Sequence, residues 1–335
     1  MHFLIVLIAV VVLESNGQLA FIQRDIWVRK WYSALSGLAG LKSDSLVKML
    51  VFVLLPVVAL QIVLWSLGDG VLVFLLELAV LLYSFGRGDL RAQIAVLESD
   101  IERSDLQAAF HDAAVFNIGH RSGSADSAAG LCHELAAALP YRLFERTFAA
   151  VFWFFILGAP AALAYRLLAL HGDMELGLPQ GNQIAEESEQ GSEQAQGEQA
   201  QGEQAELEPK ADQEQTVELA DSANQLLWYL EWLPARFLAL TLGLMGDFSR
   251  ATTQLKDLVF CAKTSTADLL RRCVLGALNG DVINISAPNI SALNKDDAES
   301  ESQTADLAMI PEVVALFRRS MTGWLVVIAL FVLIS

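Results

Sequence analysis

The sequence predicts an all-α membrane protein: a polytopic bundle of four to six membrane helices, with helical segments on the cytoplasmic side and a disordered acidic linker. Three observations predict it. Hydrophobic residues make up 54% of the 335-residue chain and charged ones 18%, against ~45–50% and ~25% in ordinary globular proteins. Several apolar runs approach the ~20 residues that cross a ~30 Å hydrocarbon core as a helix. The net charge of −17 is concentrated in residues 171–222, which hold fourteen Asp or Glu against one Lys and leave −4 for the rest. The acidity therefore belongs to a linker, which argues against a nucleic-acid partner.

Residues 1–86 read as an N-terminal membrane region. Met1–Leu13 is apolar but short, lacks the basic start and small-residue cleavage site of a signal peptide, and ends at Glu14. Residues 16–48 are basic and amphipathic, with Trp27, Trp31 and Tyr32 among Arg24, Arg29, Lys30, Lys42 and Lys48. That mixture suits a cytoplasmic membrane interface. Leu46–Leu67 and Val71–Phe85 form a helical hairpin about the turn Gly68-Asp69-Gly70. Glu77 lies midway along the second arm, where a carboxylate costs ~2.5–3.5 kcal/mol and faces a protein interior. It reads as a packing contact first and as a ligand or proton site second.

Residues 87–146 read as a soluble helical segment, from Leu90, Ile94, Leu97, Ile101 and Leu106 at helical spacing. A Gly/Ser-rich break at Arg121–Gly130 precedes a second helix over Leu131–Phe144. Residues 147–170 form the central membrane helix, with breakers Gly158 and Pro160 that a membrane helix tolerates. Residues 171–224 are the linker, built on the repeat QGEQAQGEQAELE, too polar to offset the entropy of ordering it. Residues 225–246 give another membrane helix, with Glu231 and the breaker Pro234 inside it. Residues 247–320 read as soluble helix and loop, and 321–335 as a short C-terminal membrane helix. Counting Lys and Arg places 14–48, 87–146 and 247–320 in the cytoplasm and the linker outside.

Little chemistry is legible from motifs. Cys132, Cys261 and Cys273 are widely spaced and odd in number, which reads as reduced thiols. His111, His120 and His133 fit no metal spacing, so neither a metal nor a cofactor is expected. Gly37–Ser43 fails the phosphate-loop pattern, which needs four residues between its glycines and a lysine directly after the second. The charged membrane segments are more informative. Tyr165-Arg166 and Glu231 with Arg236 place one anion and two cations at or near bilayer depth. They read either as structural pairs with snorkelling arginines or as an anion pocket whose guanidinium forks hold phosphate or carboxylate.

The runs LGAPAALAYRLL (157–168) and LEWLPARFLALTLGLMGD (230–247) resemble the paired signatures of the CobD/CbiB–AmpE superfamily. That family holds the adenosylcobinamide-phosphate synthases and AmpE, an inner-membrane protein linked to β-lactamase induction. The synthases carry Glu-Asn-x-x-Asp before the central helix, whereas here Tyr141-Arg142-Leu143-Phe144-Glu145 keeps only the last acid. After Tyr-Arg, the synthases' Asn-Thr-Leu-Asp is replaced by LLALHGD (167–173). The resemblance therefore implies the AmpE branch: a regulatory protein of the bacterial inner membrane, connected with cell-wall recycling, rather than an enzyme. It implies a bilayer environment, a membrane protein partner and a cell-wall-derived or corrinoid-like ligand. Tyr165, Arg166, Arg236, Glu231, Glu145 and Glu14 would line the pocket. The alternative is a divergent CbiB-like enzyme in which Glu14, Glu145 and Glu231 are the acids.

Overall fold

The computed structural model describes residues 2–15, 25–36, 45–68, 70–85, 90–103, 105–113, 116, 128–175, 211–256, 264–278 and 295–334. For 211–224, 295–308 and a few helix ends, Glu14 among them, the description covers the backbone alone. Among the described residues every regular element is helical. Gly37–Ser43, Cys261, His120, Asp69, the two Asn-Ile-Ser triplets and most of the acidic linker lie outside them.

The apolar stretches fold as helices whose outer faces stay uncovered. α1 (His2–Ser15) buries Ile5, Val6 and Ala9 and packs on α4 (Val71–Ser84). α2 (Ile26–Ser36) turns Val28 and Leu35 inward, and Trp31 Nε1 donates to the Phe52 carbonyl of α3 (Ser45–Leu67) at 3.3 Å. α3 and α4 are joined through Gly68, whose φ of 63° is a left-handed turn conformation. Leu54, Leu55, Val58 and Ile62 of α3 are about half exposed, and Trp65 is 84% exposed. Two helices, over Leu46–Leu67 and Met309–Ile334, are long and apolar enough to cross a membrane. Both leave most of their surface uncovered, unlike the core helix of a soluble domain.

The centre departs from the sequence expectation. A single helix was expected over 147–170, but the chain makes two. α7 (Ala128–Leu143) continues through a π-helical turn (Phe144–Phe148) into α8 (Ala149–Leu157). At Gly158 the backbone takes φ 84°, a conformation glycine accepts and L-residues avoid. α9 (Ala159–Glu175) then packs back along α8. Ala159 and Ala162 are fully buried, the small side chains that allow two helices to approach closely. Of the three expected breakers, Gly158 makes the break and Pro160 sits just inside the first turn of α9, where proline is tolerated. Pro234 lies inside a helix that continues past it. With nine residues, α8 is about 14 Å long, too short to cross a bilayer alone.

α10 (Ala211–Met245) starts inside the segment expected as linker. It packs on α9 and on α12 (Thr266–Ala277). Between them, α11 (Phe248–Leu255) is capped by Asp247, whose side chain accepts from Arg250 N, and α12 by Ser265, which accepts from Asp268 N. The Asp247 amide donates to the Ala277 carbonyl at 3.0 Å. α13 (Lys295–Ile334) is one helix where a soluble segment and a short membrane helix were expected. Its Ile310, Val313, Leu316 and Phe317 are buried, and it packs against α7. Its last turns leave Val326, Val327, Leu330 and Phe331 exposed. α5 (Leu90–Glu102) and α6 (Leu106–Ala113) pack together, burying Ile94, Leu97, Ile101 and Ala109, and α6 also touches α7.

Three glycine substitutions separate these constraints. Gly246→Ala would place a methyl 2.6 Å from the Ala277 Cβ and carbonyl oxygen and should cost about 1–3 kcal/mol by overpacking. Gly158→Ala should cost about 1–3 kcal/mol through backbone strain. Gly172, where nothing lies within 4 Å of an added methyl, should accept Ala without loss, since alanine favours helix. Thermal melts of the three purified variants measure the order.

Candidate functional site

The hairpin α8–α9 packs against α10, and the buried charges collect where α9, α10 and the π-helical turn meet. Glu231 on α10 is 3% exposed. Its Oε1 accepts two hydroxyls, from Tyr141 on α7 and from Tyr165 on α9, each at 3.0 Å. Two O–H donors on one carboxylate oxygen fix three helices to a single point. The Thr266 hydroxyl at the start of α12 faces the same carboxylate but lies outside hydrogen-bond geometry.

A second carboxylate sits one turn along. Glu145 belongs to the π-helical turn, and such turns recur at functional sites because they re-aim side chains. Arg142 Nη1 donates to Glu145 Oε2 at 2.6 Å, and Arg142 Nε donates to the Phe116 carbonyl at 2.9 Å. Burial favours the neutral acid at Glu145, but the guanidiniums of Arg142, Arg166 and Arg146 outweigh it and hold its pKa below the usual carboxylate range. Burial beside Glu231 and Glu145 pushes the Tyr141 hydroxyl well above its ordinary value, so it remains a donor.

The expected pocket residues are thus only partly together. Tyr165 and Glu231 are bonded, and Arg166 lies near enough to Glu145 to act on its charge without an ion-pair contact. Arg166, 7% exposed, also lies near Tyr83, whose hydroxyl donates to Asp25 Oδ1 at 2.9 Å. Arg236 takes a different course. Its guanidinium lies 4.0 Å from the centroid of the Trp232 ring, and Nη1 donates to the Trp232 carbonyl at 2.9 Å, both on its own helix. The Glu14 side chain is outside the description. Glu77 is held apart from the cluster, 3.8 Å from His2 Nε2.

Several members escaped the site reading. Arg142, three residues before the expected Glu145 on a helix, was legible as its partner. Tyr83 and Asp25 gave no signal, being ordinary residues joined only by the packing of α2 against α3 and α4. Among the described residues no three His, Cys, Asp or Glu side chains are placed to hold a metal ion. Cys132 and Cys273 are buried and in no disulfide, and burial pushes the Cys273 thiol up to about 12, which makes it unreactive. Compared with family models, curated protein sequences and solved structures, the chain matches none of them.

Glu145→Gln removes one partner of a buried ion pair and should cost about 3–5 kcal/mol. The sign of the pH effect follows from the depressed pKa. The stabilisation from ionised Glu145 is complete above the unfolded value, about 4.3, and is lost as pH falls through the lower folded value. Melting curves from pH 7 to pH 3 should therefore fall more steeply below that range in the wild type than in Glu145→Gln.

Proposed function

We propose that the chain is a multi-pass membrane protein of the AmpE type, acting in the bacterial inner membrane as a regulator connected with β-lactamase induction and cell-wall recycling. One observation carries the reading. The two stretches that bear the resemblance, 157–168 and 230–247, meet where Tyr165 donates to the buried carboxylate of Glu231. Sequence similarity confined to short runs would not bring them together unless those runs built a common site. The exposed apolar faces of α3 and α13 support a bilayer around it.

The fold-back at Gly158 changes the topology that Lys and Arg counting suggests. The packing of α9 back along α8 supports a linker on the same side as 87–146, against the outside position that Lys and Arg counting suggests. Single cysteines at Arg103 and at Ser192 in a cysteine-free chain should then be labelled together by an impermeant maleimide, only after the membrane is opened. Labelling of Ser192→Cys alone in intact spheroplasts would place the linker outside.

The regulatory role is tested by complementation. In a strain lacking this protein, the wild-type chain should restore normal induction of β-lactamase, and Glu231→Gln at equal membrane level should not. Unchanged induction in both would remove the reading. An enzymatic reading, a divergent CbiB-like ligase, is favoured by the one acid kept from the synthase motif, Glu145, held ionised by Arg142. It predicts instead that the chain rescues cobalamin-dependent growth in a synthase-deficient strain.

A further inference from the structure

Arg166 is nine-tenths buried, and among the described residues it makes no hydrogen bond and no close ion pair. Its charged and titratable neighbours are already engaged. Glu145 Oε2 is bonded to Arg142 at 2.6 Å, and the Tyr83 hydroxyl donates to Asp25 at 2.9 Å. Glu231, the other carboxylate of the cluster, accepts the hydroxyls of Tyr141 and Tyr165. Three guanidiniums, from Arg142, Arg166 and Arg146, act on Glu145. Arg142 is also bonded to the Phe116 carbonyl and Arg146 to Gln93 Oε1, each at 2.9 Å, so Arg166 is the one of the three with no hydrogen bond among the described residues. A guanidinium offers five N–H donors in a planar fork. Burying it without acceptors costs more than apolar packing returns.

We propose that Arg166 is the seat of a bound oxyanion, a phosphate or carboxylate group held by its guanidinium fork at the base of the α8–α9 hairpin. The proposal rests on reading the cluster as a ligand pocket, and not on the regulatory role. It narrows that pocket to Arg166, since Arg236 is stacked on Trp232 of its own helix. A fork matches a planar carboxylate or two phosphate oxygens better than a lysine ammonium does. A free anion and the phosphodiester of an anionic lipid offer the same chemistry.

The test is thermal melting of the full chain, first in detergent free of oxyanions, then with inorganic phosphate or acetate at constant ionic strength. Matched samples go into nanodiscs of phosphatidylcholine with or without phosphatidylglycerol. Wild type should melt higher with phosphate or acetate if the anion is soluble, or only with phosphatidylglycerol if it is a headgroup. Arg166→Gln should lose that response, and Arg272→Gln, which removes an exposed charge elsewhere, should keep it. Without oxyanion, Arg166→Gln should melt no lower than wild type, because a buried unmatched charge has been removed. Equal responses in wild type and Arg166→Gln, or none in either medium, would overturn the site. If Arg166→Gln does not fold, native mass spectrometry of wild type in phosphate should show one bound anion that Arg166→Lys weakens, and no bound anion overturns the proposal. Oxyanion binding lost in Arg166→Gln with unchanged β-lactamase induction would sustain the site and remove the regulatory reading. Induction that depends on Arg166 without any oxyanion response would do the reverse.

Discussion

Tyr141 and Tyr165 both donate to one oxygen of Glu231, and the arrangement of the surrounding helices depends on that shared acceptor. The two tyrosines are distant in sequence and meet only because the chain reverses at Gly158. A continuous helix over 147–170 would carry Tyr165 about 33 Å from the end of α7, at 1.5 Å per residue. The reversal and the carboxylate are therefore coupled: each would leave the other without partners.

The same geometry explains how charge is tolerated inside so apolar a bundle. Buried ions are stable only when nearly every lone pair and proton is matched. Glu145 meets that condition through Arg142, which is itself braced by the Phe116 carbonyl. Glu231 is held by two hydroxyls instead of a cation, both on Oε1. The π-helical turn shifts the register between α7 and α8, letting Tyr141 and Glu145 serve two different carboxylate centres from one helix. Around this cluster, packing is carried by side chains such as Phe144, Phe148 and Leu139, while α3 and the end of α13 turn apolar faces outward.

The helical class and the apolar belts were legible because hydrophobic runs and helical spacing are local properties. Leu46–Leu67 and Val71–Ser84 lie within a residue or two of where their composition put them. The fold-back was not legible. Gly158 was visible as a breaker, but a kinked crossing and a reversal share the same composition, and only the packing of α8 on α9 decides between them. Likewise α13 runs on from Lys295 through a stretch that reads as polar loop, and its buried face begins at Ile310, at the start of the membrane-length run. In the site, Glu231 and Tyr165 stood out as polar residues in apolar helices. Arg236 stood out equally and points elsewhere, since a neighbouring tryptophan on its own helix offers a nearer partner. Asp25 and Tyr83 are joined across separate helices, a relation no local pattern encodes.

The most direct measurement of the shared acceptor is a double-mutant cycle on the stability of the purified chain: Tyr165→Phe, Glu231→Gln and both together. Residues in direct hydrogen-bond contact couple by about 0.5–3 kcal/mol, and the arrangement described here predicts a value in that range. Strict additivity, within about 0.3–0.5 kcal/mol as for independent sites, would mean that α9 and α10 do not meet at this carboxylate. The reversal at Gly158 would then lose the contact that gives it meaning.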